Sequence, residues 1–167
     1  YNVITRHVGA TAATRYADKW KDLNKVVSTP ITDFTVRHIN YGGTTEYYYL
    51  YEKEKDKCVA EFAIEPTTTD ELFSILAPGV RAVTPHMRIL PKYQKTGLAS
   101  RCYTTFLNGG PWVFATLSHS EPAKALWDSL ARKNFVSFYY DPRTRKIVSD
   151  PTPNSWRLLG PSKRFKS

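Results

Sequence analysis

Apolar positions recur along the chain with two different periods, and the changes of period predict the order of helices and strands. YNVITRH is typical of a short strand, and apolar residues spaced three and four apart in GATAATRYADKWKDLNKVV predict an amphipathic helix. TDFTVRHINY and TEYYYLYEK are rich in β-branched and aromatic residues, as strands are. The charged EKEKDK followed by CVAEFAIEP then predicts a hairpin over residues 45–65.

The second half of the chain predicts an alternation of strands and helices. A strand over VRAVTPHMRIL ends at Pro91, and Pro85 within it predicts an edge, a bulge or a local splay. SRCYTTFL predicts a helix, PWVFATLS a buried strand, and EPAKALWDSLARKN a second helix. FVSFYY and RKIVS predict two closing strands. We therefore expect an α/β (α+β) fold with a mixed, mostly antiparallel central sheet flanked by helices, and not a doubly wound one.

Length and composition set the limits of this fold. The 167 residues suffice for one domain, with at most a short appendage, and the 41% hydrophobic content allows a proper core. No apolar run approaches the roughly 18 residues of a membrane span, and no signal peptide is visible. Cys58 and Cys102 have no metal-ligand spacing and predict no disulfide framework, so we expect a reducing, cytoplasmic setting without a metal.

Positive charge is concentrated near the end of the chain. The net charge is +9. After position 142 the chain has one acid, Asp150, and seven basic residues: Arg143, Arg145, Lys146, Arg157, Lys163, Arg164 and Lys166. We divide the chain into a domain over 1–150 and a basic C-terminal segment over 151–167. The charge predicts either a solvated tail or attraction to nucleic acid, an acidic protein or a polyanionic cofactor. Trp156, Leu158 and Leu159 indicate that the middle of the segment packs onto something.

The stretch PKYQKTGLA joins the strand that ends before Pro91 to the helix that follows. The first amides of a helix have no partner within it and carry about half a positive charge, which suits a pyrophosphate. Glycine and alanine at Gly97 and Ala99 keep side chains out of the turn over 94–99. A tight turn without a ligand explains the same residues equally well.

Two motifs resemble those of the GNAT N-acetyltransferase superfamily. ILPKYQKTGLA resembles its acyl-CoA signature, with the matching residues in register at Ile89, Pro91, Gln94, Gly97 and Ala99. SEPAKALWDSLARKNF resembles its second signature at Glu121, Pro122, Ala123, Leu126 and Phe135. The gap of one helix and one strand between the two motifs is also that of the family. The resemblance covers residues 80–140 through motifs and the first 79 residues only through the order of elements.

The resemblance implies that acetyl-CoA binds in a notch between splayed strands, one ending at Ile89 and the other near Ser118. Backbone groups of the first strand would hold the pantetheine arm, and a strand amide near Met87 would meet the oxyanion. A primary amine would attack the thioester directly in a ternary complex. The implied cofactor-binding residues are Met87, Ile89, Gln94, Lys95, Thr96, Gly97, Leu98, Ala99, Ser120, Ala123 and Trp127.

Three positions depart from the family pattern. Trp127 stands where many members have the tyrosine that protonates the leaving thiolate, and an indole N–H is not an acid near neutral pH. Filling the core is the alternative role for this side chain. Ser120 replaces the family's asparagine, and Asn134, after two extra residues, replaces a glycine. These departures put the proton-donating step in doubt, although Tyr139 or Tyr140 could replace the missing tyrosine.

The candidate catalytic residues are His86, Ser118 and His119. An imidazole suits a general base, and His86 lies on the strand before the turn. His119, with Ser118 beside it, follows the strand PWVFATLS at the implied notch. Glu61 and Glu65 are further candidate bases on the preceding strand. Each of these side chains also has an ordinary structural or solvent-exposed role open to it.

The preferred function is N-acetyl transfer from acetyl-CoA, as co-substrate, to a primary amine on a small molecule, a protein or an aminoacyl-tRNA. The alternative is a non-catalytic interaction or structural protein of the GNAT fold. The divergence from the family pattern suggests a bacteriophage-encoded member, located in the host cytoplasm or the virion. A nucleic-acid-binding module that uses the basic tail is a weaker third reading. The intact turn favours the enzyme, and the acceptor and oligomeric state stay open.

Overall fold

The computed structural model describes residues 25–26, 34–52, 58–67, 73–117 and 121–166. The chain divides into two compact units. Unit 1 comprises Tyr1–Glu65 and His86–Thr105, and unit 2 comprises Pro66–Pro85 and Phe106–Ser167. The predicted strand YNVITRH and most of the first predicted helix lie outside the described residues.

Unit 1 is built on an antiparallel arrangement of strands in sequential order. These strands are β1 (Lys25–Val26), β2 (Phe34–Ile39), β3 (Glu46–Glu52) and β4 (Cys58–Pro66). The predicted hairpin over 45–65 is confirmed by β3 and β4. The helix predicted through Val27 is wrong at its end, because Lys25 and Val26 pair with β2 instead of completing a helical turn. Backbone hydrogen bonds to a neighbouring strand outweigh the helical spacing there.

Tyrosines fill much of the core of unit 1. The period of two places Tyr47, Tyr49 and Tyr51 on one face of β3, and the rings of Tyr47 and Tyr49 stack with centroids 6.1 Å apart. Tyr49 is buried, and its hydroxyl lies 2.9 Å from that of Tyr41. Burial, and then this hydrogen bond, raise the pKa of Tyr49 far above its ordinary value. Tyr49 and Tyr51 therefore pack inside unit 1, and Tyr47 packs half-buried against them.

Strand β5 (Arg81–Ile89) and helix α1 (Leu98–Asn108) each contribute residues to both units. Within unit 1, β5 is followed by a short 3-10 turn over Pro91–Tyr93. Helix α1 contacts β4 through the rings of Phe62 and Tyr103, whose centroids are 5.5 Å apart. The predicted strand–turn–helix is thus present.

Unit 2 joins the first half of β5 to four further strands in the order β5-β6-β9-β7-β8. They are β6 (Trp112–Thr116), β7 (Val136–Asp141), β8 (Lys146–Val148) and β9 (Trp156–Gly160), with helix α2 (Glu121–Lys133) between β6 and β7 in the chain. Among the described strand pairs with a register only β5–β6 is parallel, so the predicted mixed, mostly antiparallel sheet is confirmed.

The C-terminal stretch forms part of the interior of unit 2. Strand β9 lies between β6 and β7, and Leu158 and Leu159 are fully buried. The prediction that the middle of this segment packs is confirmed, while the domain boundary at residue 150 stays a prediction. None of the helices in the described part of the chain is long and apolar enough to cross a membrane.

The parallel ladder between β5 and β6 is short. Its register ends at Val83 opposite Phe114, and the Thr84 hydroxyl then donates to the Ala115 carbonyl at 2.7 Å. Pro85, which has no backbone N–H, follows directly. The predicted loss of regular pairing around this proline is therefore seen in unit 2.

Candidate functional site

The 94–99 turn reverses the chain with two residues in left-handed conformations. Gln94 is extended, Lys95 has a φ of 60°, and Gly97 has a φ of 83°. Helix α1 begins at the next residue, Leu98, whose side chain is buried. A Cβ at Gly97 would meet no atom within 4 Å, so glycine is needed there for its backbone conformation and not for space.

Side chains hold this turn in place by donating to carbonyl groups. The carboxamide of Gln94 donates to the Ile89 carbonyl at 2.9 Å, and the Thr96 hydroxyl donates to the Tyr93 carbonyl at 2.6 Å. The first helical bond runs from the Arg101 amide to the Gly97 carbonyl. In the part of the chain that the structure describes, the backbone amides of residues 95–100 therefore have no acceptor. Such a row of donors at a helix start is suited to an anion.

The charges around the turn favour an anion as well. Residues 90–117 contain no aspartate or glutamate. Lys92 and Lys95 are exposed, and the Lys92 ammonium lies 5.6 Å from the centroid of the Tyr93 ring. The positive end of the α1 dipole adds to the same field. The turn thus combines backbone donors with cationic side chains.

Two of the predicted base candidates lie next to each other in unit 1. His86 Nε2 is 3.1 Å from Glu65 Oε2, and both side chains are about half exposed, at 53% and 55%. Arg88 Nε lies 3.7 Å from the carboxylate of the buried Glu61. Because His86 and Glu65 are in water, their contact contributes little to stability. It can still orient the imidazole.

The alternation along β5 decides which face each candidate occupies. His86 and Arg88 share one face, and Met87 and Ile89, both half-buried, share the other. The sequence left this facing open because of Pro85. The carbonyl of Ile89 accepts the hydrogen bond from Gln94, so the strand end and the turn are directly connected. The cofactor-binding roles of these residues stay predictions.

The remaining predicted site residues belong to unit 2. Ser118, His119 and Ser120 lie outside the described residues. Ala123 is half-buried at the start of α2. Trp127 is 1% exposed, and its ring centroid lies 6.3 Å from that of Phe114. The expectation that Trp127 fills the core is confirmed, and its contact with a cofactor stays a prediction.

Two arginines that the sequence assigned to a basic tail point into unit 2. Arg157 is buried and donates to Asp128 Oδ1 at 2.5 Å and to the Ser137 hydroxyl at 2.9 Å. This hydrogen bond from Arg157 lowers the pKa of Asp128.

Arg164 donates to the Leu107 carbonyl, at the end of α1, and to the Trp112 carbonyl at 2.7 Å. Burial lowers the pKa of Arg164.

A second histidine–carboxylate pair was missed by sequence reasoning. His38 Nε2 contacts Glu46 Oε2, and the Asn40 carboxamide donates to the other oxygen of Glu46 at 3.1 Å. The imidazole of His38 also stacks on Tyr48, with centroids 4.9 Å apart. The signal was available only in the register of β2 against β3, which places His38 opposite Tyr48.

Comparison with known proteins gives a structural likeness and no sequence match. No family model and no curated protein sequence matches the chain. A solved structure from Bacteroides thetaiotaomicron, assigned as a GNAT-family acetyltransferase, is similar over 91% of this chain and 84% of that chain. The sequence identity is 14% and the TM-score 0.42. None of these findings supports a bacteriophage origin.

Proposed function

We propose that the chain is an N-acetyltransferase that moves the acetyl group of acetyl-CoA to a primary amine. The observation that carries the proposal is the 94–99 turn, where the amides of residues 95–100 have no acceptor within the described part of the chain and lie at the start of a helix. The sequence of this turn also resembles the acyl-CoA signature of the GNAT superfamily. Geometry and sequence motif therefore support the same ligand.

In this proposal the turn holds the pyrophosphate of the co-substrate. The amides from Lys95 to Ala99 donate to its oxygens, and the side chains of Lys92 and Lys95 add positive charge. Gln94 and Thr96 bond to carbonyl groups only, so they shape the turn and leave its N–H groups for the ligand. Preorganised backbone donors of this kind lose no side-chain entropy on binding.

The transfer step needs a base for the attacking nitrogen. Acetyl-CoA supplies the acetyl group as an activated thioester. The amine nitrogen forms the new C–N bond, the C–S bond breaks, and CoA leaves as a thiolate. His86 accepts the proton that the nitrogen loses, and Glu65, 3.1 Å away, orients the imidazole. A backbone amide near Met87 donates to the oxyanion.

The buried Trp127 supports a second candidate, a non-catalytic protein of the same fold. Its indole cannot protonate the thiolate, and its place in the core of unit 2 gives it a structural role. In the enzymatic proposal CoA therefore departs without a proton from this position. The two candidates differ in turnover, and a protein that had abandoned acetyl-CoA would have little reason to keep the turn over residues 94–99.

Calorimetric titration with acetyl-CoA, and with CoA alone, tests the binding step. We expect micromolar affinity at about one site per chain, and Gly97→Glu should weaken it at least about 100-fold, since a carboxylate would enter the turn. Gly79→Glu is the matched control, because Gly79 has a φ of 82°, is exposed, and lies in unit 2. Wild-type binding in Gly97→Glu, or equal loss in both variants, would overturn the assignment of the turn.

Release of free thiol in an amine screen tests the chemistry. The panel covers small amines, a lysine-rich peptide and an aminoacyl-tRNA, the three acceptor classes left open. We expect His86→Gln to lose most of the turnover with unchanged acetyl-CoA affinity, whereas Glu65→Gln should lose less. Binding of acetyl-CoA with no turnover on any amine would favour the non-catalytic candidate.

A further inference from the structure

The structure separates the basic residues of the C-terminal stretch into two groups. Arg157 and Arg164 are engaged inside unit 2 by Asp128, Ser137 and two carbonyl groups. Three others are exposed on what we call the basic hairpin, residues 136–148, which comprises β7, β8 and their connection: Arg143, Arg145 and Lys146. Lys163 and Lys166 are exposed as well, outside the hairpin, and the three on the hairpin are carried by a paired strand and its connection.

The one acid in the hairpin does not neutralise its surface. Asp141 is buried, and its carboxylate accepts the Arg143 amide at 2.9 Å while its carbonyl accepts the Arg145 amide at 2.8 Å. Arg143 Nε is 3.8 Å from this carboxylate, and the Arg143 side chain is 69% exposed. Asp141 therefore closes the turn, and the cationic groups remain in solvent.

Arg145 occupies a backbone conformation that favours glycine. Its φ is 57°, in the left-handed region, where a side chain other than glycine is strained. Glycine or asparagine would form this turn at lower cost. An arginine there places a guanidinium at the tip of the hairpin despite the strain, and such strain concentrates at functional sites.

We propose that the basic hairpin binds the phosphate backbone of nucleic acid. Guanidinium groups form paired hydrogen bonds with phosphate, and those of Arg143 and Arg145 are exposed at the connection between β7 and β8. The net charge of +9 steers a polyanion towards the protein. This proposal does not depend on acetyl transfer.

An acidic protein fits the hairpin less well. Protein interfaces depend on aromatic anchors at their centre. Here Tyr140 is buried, and the ring of Phe138 packs on that of Phe165, with centroids 4.9 Å apart. Val136 and Ile147 are the large apolar side chains that the described hairpin exposes. Tyr139 is half-buried, with the Arg157 guanidinium 5.6 Å from its ring centroid, so the exposed surface of the hairpin offers mainly charge.

Fluorescence anisotropy with a labelled single-stranded RNA and with a DNA duplex of the same sequence tests the proposal. A hairpin variant changes Arg143, Arg145 and Lys146 to Gln, and the matched control changes three exposed basic residues of α2: Lys124, Arg132 and Lys133. For one of the two nucleic acids we expect the hairpin variant to lose about tenfold or more in affinity. The slope of log K against log salt should also fall by about 2 for the single-stranded RNA or about 2.7 for the DNA duplex, as three lost phosphate contacts require. The α2 control should lose less than about threefold.

Arg145→Gly tests the same proposal by removing one strained side chain and its charge. We expect this variant to melt at a higher temperature than the wild type and to bind nucleic acid about two- to fivefold more weakly. Equal losses in the hairpin and α2 variants would overturn the proposal, since they would show a response to net charge alone. Failure of the wild type to bind either nucleic acid, or equal competition by polyglutamate, would overturn it as well.

Discussion

Two turns of this protein use a basic residue in the left-handed region, and their backbone amides are arranged oppositely. Lys95 and Arg145 are the non-glycine residues with positive φ in the part of the chain that the structure describes. At the 94–99 turn, side chains donate to carbonyls and leave the amides free. At the hairpin turn, Asp141 accepts the amides of Arg143 and Arg145, so the exposed cationic side chains are the main groups presented to an anion.

The difference decides what kind of anion each turn can hold. Free amides at a helix start form a fixed concave set of donors, which suits one compact, highly charged group such as a pyrophosphate. Exposed arginine and lysine side chains are mobile and respond to a polyanion through counterion release, with steep salt dependence. We therefore expect cofactor binding in unit 1 to be less sensitive to salt than nucleic-acid binding in unit 2.

Charge reversal at each turn should give the largest difference between the two binding sites. We expect Lys95→Glu to weaken acetyl-CoA binding about tenfold or more, about 1.4 kcal/mol, while leaving nucleic-acid affinity nearly unchanged. Arg145→Glu should have the opposite pattern. Calorimetry for acetyl-CoA and anisotropy for RNA measure both ligands on both variants. A single variant that weakens both ligands equally would mean that the two turns do not act separately.

Removing the side chain that shapes each turn should have a smaller, unequal effect on stability. Asp141→Ala deletes an acceptor that is buried, and we expect a loss of about 1–2 kcal/mol in the free energy of unfolding. Gln94→Ala removes an exposed donor and should cost about 0.5–1 kcal/mol. Urea denaturation of both variants checks the order. A larger loss for Gln94→Ala would contradict the assigned burial of the two turns.

Replacing the strained Lys95 by glycine should raise stability, in contrast to the two substitutions above, while it weakens binding. Relief of the left-handed strain is worth about 1–2 kcal/mol, and the added flexibility of glycine in the unfolded chain offsets about half of it. We expect Lys95→Gly to raise the free energy of unfolding by about 0.5–1 kcal/mol while weakening acetyl-CoA binding. Gly79→Ala, at a φ of 82°, should be destabilising by a similar amount. A destabilised Lys95→Gly would show that the lysine side chain contributes to folding.

The smallest predicted effect concerns the pH dependence of stability that Asp128 contributes through its contact with the buried Arg157. Arg157 lowers the folded-state pKa of Asp128 below its ordinary value of 3.8, so this pair contributes stability above that value. The contribution is lost as the pH falls through the lowered folded-state pKa. Because the Asp128 side chain is 42% exposed, we expect about 1 kcal/mol or less. Acid titration of unfolding in Asp128→Asn should lack this component, whereas an unchanged acid profile would contradict it.

Local patterns along the chain determined much of the fold. The hairpin over 45–65, the strand–turn–helix that ends in α1, and the strands β7 and β8 depend on neighbouring residues: alternating side chains, a turn with Gly97, and short charged connections. The motif at the 94–99 turn could be read in the same way, because a helix start is a local structure. For these elements, the pattern of nearby residues is sufficient to indicate their type and order.

Contacts between residues distant in sequence were decided only by the tertiary structure. The pairs His86–Glu65 and His38–Glu46 depend on strand register, and the insertion of β9 between β6 and β7 depends on burial of Leu158 and Leu159. The basic residues of the C-terminal stretch have the same charge in the sequence, yet Arg157 lies inside and Arg143 in solvent. Amino-acid composition does not show this difference, because a charge is buried only where the fold supplies its partner.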